Sequence, residues 1–144
     1  MGDDSSTSPP HGDRRHRLPY ILGLVGAGLI LLGTFVFPFL RGEFEPTLFT
    51  LYSSALGLLF LEFLLPAVVV IAVSVAGLAS HTRTQWFAGA LLGAGITTVG
   101  RHILLVTDIN AGVGLWLYIA GSLTAAAGGI VAVLRSGDAA PVRP

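Results

Sequence analysis

A chain of 144 residues that is 53% hydrophobic and only 11% charged, with mean hydropathy +0.78, lies far from the composition of soluble domains and reads as an integral membrane protein. Its eight acids balance eight basic residues, all arginine, so no net charge points to a nucleic-acid partner. The lack of cysteine removes disulfides, thiolate metal sites and thiol redox chemistry. The all-arginine basic set among abundant Ala, Gly, Val and Leu matches the composition of a GC-rich prokaryotic genome.

The opening "MGDDSSTSPPHGD" is polar, carries Pro and Gly, and has no apolar period. Residues 1–18 are therefore expected to be a disordered cytoplasmic tail. A first apolar segment follows at 19–40, longer than the core of a signal peptide. The "FPFLRGEFEP" beyond it lacks a small-x-small cleavage site, so the segment is expected to remain as an anchor.

Next comes "RGEFEPTLFTLYSS", where Pro46 follows Glu45 as a first-turn proline follows a cap, ahead of the apolar Leu48, Phe49, Leu51 and Tyr52. It is either a separate interfacial segment or the start of the second helix. Continued from Pro46 to Ala79, that helix would have 34 residues and span about 51 Å, against a hydrocarbon core of roughly 30 Å. It would have to tilt, protrude or bend.

The second segment, 55–79, holds "LLFLEFLLP", with Glu62 inside an apolar run and Pro66 four residues later. Proline has no amide hydrogen, so the Glu62 carbonyl loses its helical donor, and Pro66 is the expected kink. The third segment, 85–107, contains "GALLG" from Gly89 to Gly93 and then "GRHILL", with Arg101 and His102 inside the apolar limits. The fourth, 112–134, repeats small residues at Gly121, Ala125 and Gly129, and residues 135–144 form a second polar tail. The predicted architecture is all-α, a four-helix transmembrane bundle, in which the small residues let backbones approach.

Arginines near span ends set the orientation. With the N-terminus cytoplasmic, Arg14, Arg15, Arg17, Arg83, Arg135 and Arg143 are inside, leaving Arg41 and Arg101 outside, six against two. Both termini are thus expected inside.

Measured along each helix at about 1.5 Å per residue, Glu62, Arg101, Thr34 and Tyr118 all fall about 9 to 10 Å below the outer boundary. They outline a polar layer in the outer leaflet. At about 100° per residue, Ala90, Ala94 and Thr97 share the face of Arg101, and Ser122, Ala125 and Gly129 share that of Tyr118. His102 projects to one side of Arg101. Three readings of the acid and the base stay open: a structural ion pair, a ligand or proton site, or an arginine that snorkels outward without meeting Glu62. Thr97 and Thr98 are expected to bond to helix carbonyls, and Tyr118 to anchor near headgroups.

Enzyme signatures are absent: there is no nucleophile elbow, HExxH, phosphate loop or paired acidic motif. The four histidines have no metal spacing, so no metal or other cofactor is expected. The function indicated is an accessory or scaffold subunit, its partners the lipid bilayer and either another membrane protein or copies of itself. The alternative is a small transporter or sensor using a pocket around Glu62 and Arg101.

Overall fold

The computed structural model describes residues 12–42, 46–53, 57–80, 85–108 and 110–137; the side chains of residues 12–16, 52–53, 57–60, 62, 85, 104–108 and 137 lie outside that description. The described chain is all-α. Its five helices are α1 (Gly12–Phe35), α2 (Leu48–Ser53), α3 (Gly57–Ala79), α4 (Gln85–Asp108) and α5 (Val113–Gly137). Two stretches, Arg17–Phe35 and Val113–Ser136, are long and apolar enough to cross a membrane by length and composition, and Phe63–Ala79 is a shorter apolar helix.

Boundaries differ from expectation at both ends of α1, at the start of α2 and at the end of α5, which runs to Gly137 and takes in part of the tail expected at 135–144. α1 starts at Gly12, before Pro19, and stops at Phe35 instead of running to residue 40. Its end is set by Pro38, which disfavours helical geometry in the residue before it. α2 begins after Thr47, not at Pro46: the Thr50 amide donates to Thr47 Oγ1 at 3.2 Å, which makes Thr47 the N-cap. Residues 54–56, between α2 and α3, lie outside the described ones, and with them the question of whether the second helix continues from residue 46.

The four long helices form a ring in the order α1, α5, α4, α3, each touching its two neighbours. The first and last long helices are antiparallel and meet along a ladder of small residues. Gly114, Gly121 and Gly128 of α5 stand seven residues apart and face Gly33, Gly26 and Pro19 of α1, which repeat at the same interval. A methyl group at Gly26 would lie 2.5 Å from the Gly121 carbonyl oxygen, one at Gly114 would lie 2.6 Å from that of Gly33, and one at Gly128 would lie 2.6 Å from that of Pro19. Glycine is required there because backbone meets backbone. A seven-residue repeat keeps one seam in register along two helices.

A second seam on α5 faces α4. A Cβ at Gly95 would sit 2.7 Å from the Ser122 carbonyl oxygen and from the Ala126 nitrogen, and one at Gly129 would sit 2.6 Å from the Leu92 nitrogen. α5 is therefore the central element, small on two faces.

One end of the ring is closed by an extended segment after α1. Phe39 N donates to Pro46 O at 2.9 Å and Arg41 N to Asn110 O at 2.9 Å, while Gly112 N donates to Phe39 O and Gly114 N to Pro38 O, both at 2.8 Å. Residues 38–41 are thus bonded along both edges. Phe39, 4% exposed, and the fully buried Leu48 of α2 plug this capped end.

Candidate functional site

The bundle has an apolar core, with Ile30, Leu91, Leu115 and Val70 buried, yet large apolar side chains also cover its outside. Every long helix turns large apolar side chains outward, among them Leu32 on α1, Leu65 and Val68 on α3, Ile96 and Ile103 on α4, and Trp116 and Leu134 on α5. The polar Thr34, Ser74, Thr98, His102 and Ser122 are buried.

Most of these polar groups are satisfied within their own helix. Thr34 Oγ1 donates to Ile30 O at 2.7 Å, Thr98 Oγ1 to Ala94 O at 2.6 Å, and Ser122 Oγ to Tyr118 O at 2.9 Å. Such bonds hide a hydroxyl from an apolar surrounding without needing a neighbouring helix. Tyr118 behaves differently: fully buried, it donates its hydroxyl across the ring to the Phe63 carbonyl of α3 at 3.0 Å. It is a helix-to-helix strut, not the interfacial anchor expected. The bond falls in the turn disturbed by Pro66, where α3 continues without a break.

Around this strut an aromatic cluster forms. The Phe63 ring centroid is 6.2 Å from that of Phe39, 5.9 Å from Tyr118 and 4.8 Å from His102, and His102 is 4.8 Å from Tyr118. His102 Nδ1 donates to the Thr98 carbonyl at 2.7 Å, while its Nε2 has no hydrogen-bond partner among the described residues. Side chains of α3 and α5 thus meet the imidazole of α4, with Phe39 of the cap packed behind Phe63.

This arrangement places α4 about one residue, or 100°, away from the facing expected for it. Leu91, Gly95, Thr98 and His102 point inward, whereas Gly89, Gly93, Thr97 and Arg101 are exposed. A Cβ at Gly89 or Gly93 would meet nothing within 4 Å, so the contacts expected there are made instead by Gly95, through Ser122 and Ala126. The physical reason is that α4 has small residues on both faces, and the polar periodicity of Thr97 and Arg101 competes with that of Thr98 and His102. Packing against α5 decides between them.

Of the expected polar layer, the structure brings His102 and Tyr118 together and buries Thr34, leaving Thr97 and Arg101 on the surface. The Glu62 side chain lies outside the described residues, and with it the expected partnership with Arg101. On α5, Gly121, Ala125 and Gly129 are all buried at helix contacts. The clearest sequence signal not used above is the glycine ladder at Gly114, Gly121 and Gly128, legible as a seven-residue repeat.

Among the described residues no three His, Cys, Asp or Glu side chains come together to hold a metal. No protein family, curated protein or solved structure matches this chain.

Proposed function

We propose that this chain is a four-span membrane protein, both termini cytoplasmic, that serves as an accessory or scaffold subunit by presenting one face of α4 to a transmembrane helix of another membrane protein. The membrane reading is supported by outward apolar side chains on all four long helices, since soluble monomers rarely expose large contiguous apolar surface. α3 and α4 are read as spans alongside the two longer apolar helices because they complete the same ring. The arginine distribution orients it, six inside against two outside.

The observation that carries the scaffold reading is the empty space over Gly89, Gly93 and Gly100, where an added Cβ would meet nothing within 4 Å. On a helical wheel these three fall within about 40° of one another, with Ile96 and Thr97 beside them, roughly opposite the buried Leu91, Thr98 and His102. Glycine inside a helix costs about 0.5 to 1 kcal/mol relative to alanine. Within this chain that cost gains no close packing on the outer face. A partner helix would use it, since small residues are what allow transmembrane helices to approach.

The test uses purification in mild detergent. Gly93→Leu and Gly100→Leu chains should retain wild-type yield and thermal stability while losing a co-purifying membrane protein. A wild-type chain that carries no such protein, or variants that keep it, would sink the scaffold reading. Topology is tested separately: the natural chain has no cysteine, so single cysteines at Thr82 and Asn110 report on opposite sides. An impermeant reagent should label the Asn110 position in intact cells and spare Thr82.

A further inference from the structure

His102 is 3% exposed, and its Nε2 finds no hydrogen-bond partner among the described residues. Its tautomer follows from the other nitrogen. Nδ1 is 2.7 Å from the Thr98 carbonyl oxygen, which can only accept, so Nδ1 carries the proton. In the neutral ring Nε2 is then a bare acceptor, withdrawn from water. Buried acceptors of this kind are nearly always met by a donor from protein or ordered water.

Among the described residues the surrounding turn supplies acceptors. Tyr118 has committed its hydroxyl proton to the Phe63 carbonyl and keeps only oxygen lone pairs. The Glu62 carbonyl, one residue before Phe63, has no helical donor because Pro66 has no amide hydrogen. Phe63 and His102 pack at 4.8 Å, as do His102 and Tyr118, which keeps these groups in one neighbourhood. A single imidazole does not hold a metal without further ligands, and the described residues offer no such set.

We propose that the cluster of His102, Phe63 and Tyr118 is a binding site for one small hydrogen-bond donor, a water molecule, which donates one proton to His102 Nε2 and the other to the surplus acceptors of the Phe63 turn. A buried water needs two to four polar partners, and Nε2, the Tyr118 oxygen and the Glu62 carbonyl are the groups proposed to supply them. Bound there, the water joins α4 to α3 and α5 at the level of the Pro66 defect. The site is independent of the exposed α4 face.

The test is solid-state NMR of the full chain in lipid vesicles, with histidine labelled with ¹⁵N and glutamate labelled with ¹³C at the carboxyl. Replacing His11, His16 and His81 by Gln leaves His102 as the only labelled imidazole, and the wild-type chain serves as the folding control by reproducing its signal. The expected result is a protonated Nδ1 and an unprotonated Nε2 that correlates with an exchangeable proton, the correlation vanishing in D₂O and returning in H₂O. An Nε2–H tautomer overturns the inference. So does an Nε2 that correlates with no exchangeable proton. A correlation between Nε2 and a glutamate carboxyl carbon also overturns it, because the donor would then be a side chain of the protein.

Discussion

Glycines do opposite things on α5 and on the outer face of α4. On α5, Gly114, Gly121 and Gly128 lie against the α1 backbone, so that any side chain would collide with a carbonyl or an amide. On α4, Gly89, Gly93 and Gly100 face empty space. The same residue type, at similar spacing and in helices of similar length, closes the bundle in one place and leaves a smooth strip in the other. Spacing alone therefore does not say whether a small-residue motif is used within a chain or offered to a neighbour. The facing of the helix says it.

The largest expected effect comes from filling the ladder. Gly26→Leu places a side chain where even a Cβ would be 2.5 Å from the Gly121 carbonyl oxygen and 2.9 Å from the Ala125 nitrogen, so α1 and α5 must separate. Overpacking of this kind usually costs about 1 to 3 kcal/mol, and a backbone-to-backbone contact belongs at the upper end or beyond. Thermal unfolding in detergent should show a large fall or no recoverable folded protein; wild-type stability would mean that the ladder is not formed.

The sharpest contrast lies two residues apart on one helix. Gly95→Leu should destabilise the isolated chain, because its Cβ would meet Ala126 and the Ser122 carbonyl oxygen at 2.7 Å. Gly93→Leu should leave the chain as stable as wild type, or a few tenths of a kcal/mol more stable through better helix propensity. Equal damage from both, measured as loss of thermal stability, would place Gly93 in the core and break the comparison.

A smaller effect is expected from Tyr118→Phe, which keeps the ring in the cluster and removes the hydrogen bond to the Phe63 carbonyl. The loss should be about 0.5 to 1.5 kcal/mol, the net worth of one intramolecular hydrogen bond, since the freed carbonyl lies in a turn already short of donors. Unchanged stability would show that the strut does not hold α5 to α3. The smallest effect should come from Thr34→Val. Among the described residues its hydroxyl bonds to Ile30 O of its own helix, and a valine fills the same space, so the change should stay within about 0.5 kcal/mol. A loss comparable to that of Tyr118→Phe would reveal a partner for Thr34 beyond its own helix.

Hydropathy alone carries the helical class and the approximate position of each long helix, because a long apolar run with few charges has little other way to satisfy its backbone in an apolar medium. It also carries the small residues of α5, whose Gly121, Ala125 and Gly129 share a face with Tyr118. The end of α1 was missed, because apolar residues continue to Leu40 past the Pro38 that stops the helix. Local chemistry of this kind needs no tertiary partner to act.

The facing of α4 belongs to the tertiary structure. Its sequence offers two polar stripes one residue apart, Thr97 with Arg101 and Thr98 with His102, and two sets of glycines, Gly89 with Gly93 and Gly100, and Gly95 alone. Both stripes satisfy a helical period, and a rotation of about 100° exchanges them without changing a single local hydrogen bond. What separates them is contact with α5: only one rotation seats Gly95 against Ser122 and Ala126 and lets the His102 ring reach Phe63 and Tyr118. Sequence determined that α4 is a helix with chemistry near one end; close packing against a second helix decided which of that chemistry is inside.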